Sequence, residues 1–263
     1  MQQVEDFLAE SEALAAVLAP LPEADWTRIT QFKGWSVNDV VVHLLFWNRA
    51  ADLSLSDPEA FAERIAAIYP RMQVEGMRPV ENADIPERGP ALFALWRDQF
   101  RAMVARWADV DPKRRLKWAG PDMSARSSIT ARQMETWAHG QEIFDLLGRS
   151  RPEADRIRNI VVLGVNTFGW SHQVQGLEVP ARVPRLQLTA PSGAVWEFGD
   201  PDSADLIAGP AVDFARVVTQ TRSVADTDLQ LTGPVAHGWM QTAQCFAGGR
   251  EVPPAPGTRF RQG

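Results

Sequence analysis

The apolar residues change their period once along this chain, at Gly148, and that change constrains the fold more than any single motif. Upstream the spacing is helical. Residues 2 to 19 carry Val4, Phe7, Leu8, Leu14, Val17 and Leu18 on one face and stop before Pro20 and Pro22. Ser36 with Asp39 three residues later suits the start of a second helix, "VNDVVVHLLFWNRAADLSL", running to about residue 55. A shorter helix is predicted from Pro58, then a Pro-containing loop from 70 to 87, then a longer helix over 88 to 109. The segment "ITARQMETWAHGQEIFDLLG" supplies the next, with Thr130 as N-cap, Gln133 at the third helical position and Gly148 just past the end. Four principal helices with short extras predict a four-helix bundle over residues 1–150.

Downstream of Gly148 the period becomes two. After one more helix, over about 153 to 174, "RVPRLQLTAPSGAVWEFG" places two alternating runs around a Pro-Ser-Gly turn, which is a hairpin pattern. "ADLIAGP" then leads into "AVDFARVVTQ", and "DLQLTGP" into "VAHGWMQTAQCFAG", two strand, Gly-Pro, helix units. Residues 151–263 therefore read as an α+β domain, ending in a loosely held extension, "EVPPAPGTRFRQG".

Charge and composition narrow the function. The 263 residues are 45% hydrophobic with a formal net charge of −6, and no basic stripe appears, so neither nucleic acid nor an anionic membrane surface is an expected partner. The longest apolar runs, such as "VVVHLLFW", fall well short of the roughly 20 residues a membrane span needs. The acidic, amphipathic start lacks the basic and apolar regions of a secretory signal, so a soluble cytoplasmic protein is expected. Cys245 is the single cysteine, which excludes an internal disulfide and a cysteine-based zinc knuckle, and it reads as a buried helical thiol. Any metal must then be held by His, Asp or Glu, and the chain has four histidines.

Glu135 and His139 stand four apart on a predicted helix, so both point at a common centre. His43 lies mid-helix in the apolar run "VVVHLLFW". Together the three would make a His₂Glu site with an open coordination position. The bland reading is a set of satisfied core residues, because a Glu/His pair at this spacing is common, and the pattern alone does not decide between the two. Glu142 continues the same face and reads either as support for a ligand or as a surface glutamate. His172 and His237 read as structural, Arg132 as a first-turn surface residue or a cation for substrate, and Arg222 as a helix-end arginine or a substrate contact.

"GWSVNDVVVHL", followed some 90 residues later by "ETWAHGQEIFDLLG", resembles the DinB and mycothiol-dependent maleylpyruvate isomerase superfamily of metal-binding four-helix bundles. "TFGWSHQVQGLEVP", "LTAPSGAVWEFG" and "GPAVDFARVVTQTRSVADTDLQLTGPVA" are similar to the second half of a two-domain subfamily of uncharacterised metal-binding proteins. The resemblance implies that His43, Glu135 and His139 are the metal ligands. It also implies a sterol-carrier-like α+β C-terminal domain. A divalent ion follows from it, zinc first with nickel or manganese as alternatives, together with a low-molecular-weight thiol such as mycothiol or glutathione. The implied chemistry is a thiol-dependent transferase or isomerase acting on a small molecule in a monomer or homodimer, with Arg222 of the second domain holding the electrophile. The rival readings are a metal-stabilised binding protein without turnover and a metal-dependent hydrolase.

Overall fold

The computed structural model describes residues 1–263, in which two units are built on different principles: Met1–Leu146 is helical and Leu147–Gly263 mixes helices with a sheet. In the first, α1 (Gln2–Leu18) buries Val4, Phe7, Leu14 and Leu18 along one stripe. Ser36 opens α2 (Val37–Ser56) with a reciprocal cap: the Ser36 hydroxyl accepts from the Asp39 amide at 3.2 Å, and the Asp39 carboxylate accepts from the Ser36 amide at 2.9 Å. Between α2 and the next long helix lie α3 (Pro58–Glu75) and α4 (Met77–Asp84), which pack on α2 and on each other. The α5 helix (Gly89–Trp107) then buries Leu92, Trp96, Phe100, Met103 and Trp107 at helical spacing. A two-stranded ribbon of β1 (Arg115–Leu116) and β2 (Met123–Ser124) leads into α6 (Ala125–Leu146). Helices α1 and α2 each pack against both α5 and α6, closing a four-helix bundle. The far end of α6 is tied back by Arg28, whose Nη2 donates to the otherwise orphaned Leu146 carbonyl at 2.9 Å.

Two sequence expectations fail in this unit. The segment from 70 to 87 is not a loop: α3 runs through Pro70, and α4 occupies most of the rest. Pro70 removes one backbone donor, but both it and Ala66, whose carbonyl loses its helical partner, are exposed residues. The α6 helix begins five residues before Thr130, which is buried inside it. The starting acceptor is Ser124, whose hydroxyl takes the Ser127 amide at 3.1 Å. "SARSSIT" offers several residues of capping type, and residue type alone does not choose among them.

In the second unit the expected helix over 153 to 174 is broken into α7 (Arg158–Asn166) and α8 (Phe168–Val174). The Thr167 hydroxyl donates to the Leu163 carbonyl at 2.8 Å, a back-bond that bends helices, and Thr167 leaves the helical region at the joint. The hairpin forms as β3 (Arg185–Thr189) and β4 (Val195–Phe198), turning on Pro191 and Ser192 with the Gly193 amide donating to Ala190 at 2.9 Å. Then β5 (Leu206–Pro210) runs into α9 (Ala211–Val218), and β6 (Gln230–Thr232) into α10 (Pro234–Met240). The sheet order is β4-β3-β5-β6, with β3 and β5 parallel and the outer pairs antiparallel. Leu186, Leu188 and Ile207 from its central strands are buried, as are Phe214 of α9 and Trp239 of α10.

Cys245 is buried as expected but lies beyond α10, with its amide donating to the Val218 carbonyl at 2.9 Å, so it is not helical. The terminal extension is also held more firmly than its composition suggests. The Gly257 amide donates to the Asp226 carboxylate at 2.9 Å, and Arg259 Nη1 to the Gln220 carbonyl at 2.9 Å.

Gly199, directly after β4, has φ +78°, and a Cβ there would sit 2.0 Å from the Pro184 carbonyl oxygen. Left-handed backbone and a backbone clash act in the same direction, so Gly199→Ala should lower the stability of the second unit by at least about 2 kcal/mol, read by denaturant unfolding.

Candidate metal centre

Helices α2 and α6 bring three ligand-type side chains together across the bundle. Glu135 and His139, one turn apart on α6, hold His139 Nε2 at 3.2 Å from Glu135 Oε2, and His43 Nε2 from α2 approaches the same oxygen at 3.6 Å. All three ligand atoms lie within 4.8 Å of one another. Zinc bonds of 2.0–2.1 Å at tetrahedral angles put ligand atoms about 3.3 Å apart. Two edges of the triangle, at 3.2 and 3.6 Å, are near that spacing, and the third is no longer than 4.8 Å. The donor set, two imidazoles and one carboxylate, is that of a three-ligand catalytic site and leaves a position for an exogenous ligand.

A fourth residue, Glu81 of α4, organises the first histidine. Buried among apolar residues, its Oε1 accepts from Trp47 Nε1 at 2.7 Å and from His43 Nδ1 at 2.9 Å. A carboxylate on Nδ1 fixes the ring orientation and leaves Nε2 aimed at the cluster, the arrangement found behind metal-binding histidines. Aromatic rings fix the other side. Trp35 stacks parallel on His139 at 5.6 Å, Phe32 meets that ring edge-on at 5.0 Å, and His43 packs edge-on to Trp35 at 5.3 Å. The "FKGW" segment between α1 and α2 is therefore a wall of the site rather than a plain connection.

Without an ion the cluster is held by shared charge. Burial alone would suppress the His43 cation, but the charges and hydrogen bonds of Glu81 and Glu135 outweigh it and raise its pKa to about 9. Burial lowers the His139 pKa, with the charge of His43 adding to the effect. Burial likewise works against ionised Glu135, yet hydrogen bonds from His139 and His43 and the charge of Arg132 hold its carboxyl well below the usual range.

The remaining candidates fall into place separately. Arg132 is not a first-turn surface residue: because α6 starts early, it lies well inside the helix and is buried, with Nη2 3.9 Å from Glu135 Oε1. Glu142 is buried too, which rules out the surface reading. In the second unit, His172 and His237 each donate Nδ1–H to the carbonyl four residues back, at 2.9 and 2.8 Å, as structural histidines do. Arg222 follows Gln220, a non-glycine residue at φ +57°, and its Nη1 donates to the Thr221 carbonyl at 2.7 Å. Glu81, Phe32 and Trp35 were missed from the sequence. The one available signal was "FKGW" beside a capped helix, and nothing distinguished Glu81 within a segment read as loop.

Protonated His43 stabilises the metal-free protein fully below pH about 6.5, and that contribution is lost as pH rises through about 9. An ion needs the Nε2 lone pair, so zinc affinity should climb by about tenfold per pH unit from near neutrality and level off above pH about 9. Competition titration with a chromophoric chelator at several pH values checks this. In Glu81→Gln the rise should level off at lower pH, and affinity should fall by about 10- to 100-fold.

Comparison with known proteins agrees with this architecture. The family model described as the mycothiol maleylpyruvate isomerase N-terminal domain matches residues 7–144. Two uncharacterized proteins of Mycobacterium tuberculosis, from strains CDC 1551 / Oshkosh and ATCC 25618 / H37Rv, are each 37% identical over 246 residues, 93% of this chain and 95% of theirs. The crystal structure of the mycothiol-dependent maleylpyruvate isomerase superposes with a TM-score of 0.55 at 14% identity, covering 89% of this chain and 95% of that one. A histidine-to-alanine mutant of that enzyme gives 0.52 at 15%, covering 82% and 87%. At such identity the superpositions speak for the fold, a helical N-terminal part followed by an α+β part. By its match over more than half its length, and by relatives that align along nearly all of it, this chain belongs to the mycothiol maleylpyruvate isomerase N-terminal domain family.

Proposed function

We propose that this protein is a divalent-metal-dependent enzyme of the thiol transferase or thiol-dependent isomerase type, with His43, Glu135 and His139 as the ligands and zinc as the ion. The observation that carries the reading is the three-atom cluster, within 4.8 Å and backed by a buried carboxylate on one histidine. Family membership and the similarity to a mycothiol-dependent isomerase favour a low-molecular-weight thiol, mycothiol first, over water as the exogenous ligand.

A divalent ion held there lowers the pKa of a thiol that reaches it, so that the reactive thiolate is present at neutral pH. The chain's own residues set the conditions for that chemistry. Glu81 holds the proton of His43 on Nδ1, which keeps Nε2 as the donor atom. Glu135 supplies one negative charge, so a dication on this ligand set keeps a net positive charge that attracts an anionic sulfur. Trp35 and Phe32 cover His139, strengthening electrostatic interactions at the site by excluding water. Arg222 is carried from the family resemblance as the contact for an anionic group of the electrophile.

Purified protein should hold about one divalent ion per chain, and His43→Ala, Glu135→Ala and His139→Ala should each lose it by elemental analysis. Full occupancy in His43→Ala overturns the ligand set. Cobalt-substituted protein titrated with mycothiol, glutathione, bacillithiol and simple thiols should develop sulfur-to-cobalt charge-transfer absorbance with at least one of them. No bands with any thiol would favour a hydrolase or a non-catalytic binding protein. Arg222→Ala should keep the metal and lower turnover by about 10- to 100-fold, the value of a charge-assisted contact.

A further inference from the structure

Helix α3 carries an apolar stripe that the fold leaves open. Ala62, Ile65, Ala66, Tyr69 and Pro70 recur at the spacing of a helix face that is normally covered. Yet Phe61 is the only buried residue of α3, and Tyr69 is 49% exposed. The stripe and the turn of the β1–β2 ribbon, residues 117–120, together line a groove of about 410 Å³.

The ribbon side of this groove is fixed in place. Trp118 lies nearly parallel to Phe61, 13° apart with ring centroids at 6.0 Å, and Trp47 and the Arg132 guanidinium pack on the same indole at 5.6 and 5.3 Å. The turn is also tied to the end of α2, because the Ser54 hydroxyl donates to the Lys117 carbonyl and Arg114 Nη2 donates to the Leu55 carbonyl at 3.0 Å. A preformed groove lets a ligand bind with little loss of protein freedom. Its volume lies within the roughly 300–1,000 Å³ of small-molecule sites. An α-helix is about 10 Å across, so the same recess would hold only about one turn of it, too little to seat a partner helix.

Charge narrows the occupant further. Lys117 is the one charged residue lining the groove. Its Nζ stands 3.7 Å from Asp122 Oδ2 with both side chains exposed, an ion pair weak enough to yield the ammonium to another anion. Arg115, on the same side of the ribbon by strand alternation, donates to the Asp122 carbonyl, so two cations stand beside one carboxylate there.

We propose that this groove binds a small amphiphilic anion, with a flat aromatic body against Trp118, Ile65 and Tyr69 and its anionic group at Lys117. No lining residue belongs to the His43, Glu135 and His139 centre. The groove is thus a second site, and its assignment does not rest on the proposed metal chemistry.

The test is fluorescence titration of the zinc-loaded protein with anilinonaphthalene sulfonate and, separately, with uncharged phenylnaphthylamine. Both should show saturable binding. Ala66→Glu places a carboxylate on the stripe at an exposed position, with a residue that suits a helix. It should weaken both probes at least about tenfold while circular dichroism and zinc content stay native. Lys117→Gln should weaken the sulfonate by about 2- to 5-fold, the value of an exposed charge contact, and leave the uncharged probe unchanged. Wild-type affinity in folded Ala66→Glu overturns the location, and equal loss of both probes in Lys117→Gln overturns the anionic class. Absence of saturable binding to the wild type overturns the proposal as a whole. If sedimentation then shows a dimer that Ala66→Glu dissociates, the groove belongs to a second copy of the chain.

Discussion

The buried contact between His43 and Glu81 governs how the first unit is organised. An ionised side chain in the middle of a bundle is tolerated only when another charge or strong donor answers it. Here the answers form a chain: Trp47 and His43 donate to Glu81, His43 and His139 face Glu135, and Arg132 stands behind Glu135. Each link comes from a different part of the sequence, α2, α4 and α6, so the bundle cannot close in another register without stranding a charge. The polar cluster selects one packing where apolar residues alone would accept several.

The neighbourhood is specialised for rigidity as much as for charge. Helix α2 is buried without a break from Val40 to Asn48, and α6 is buried on nearly every face, including Trp137 and Phe144 opposite the ligand stripe. Such helices lack a solvent side on which to rotate. The stacking of Trp35 on His139 and the edge contact of Phe32 then remove the remaining freedom of that ring. Ligand side chains held this way meet an ion with little ordering cost, which is the condition for a defined coordination geometry. Several of the chain's unusually numerous tryptophans serve this frame: Trp35 and Trp47 touch the ligands or their support, and Trp118 covers Arg132.

Much of the architecture was present in the sequence because local physics determines it. The stripe of Val4, Phe7 and Leu14, the capping box of Ser36 and Asp39, and the period-two runs around Pro191 to Gly193 each encode an element within a few residues. The spacing of Glu135 and His139 likewise required nothing beyond helical geometry. Where several local signals competed, reading failed: Pro70 sits inside α3 because its face is solvated, and Ser124 rather than Thr130 starts α6 because the preceding ribbon delivers the chain there.

What the sequence determined by itself was the division into a helical part and an α+β part, and the identity of three residues able to share an ion. Tertiary structure alone decided that His43 Nε2 comes to 3.6 Å from Glu135 Oε2, that Glu81 backs it, and that Arg132 is buried beside them. The reason is range. Helical periodicity and capping act over a few residues, whereas the partner of a buried charge is chosen by which helices pack. Glu81 lies 38 positions from His43, and no local pattern carries information over that separation.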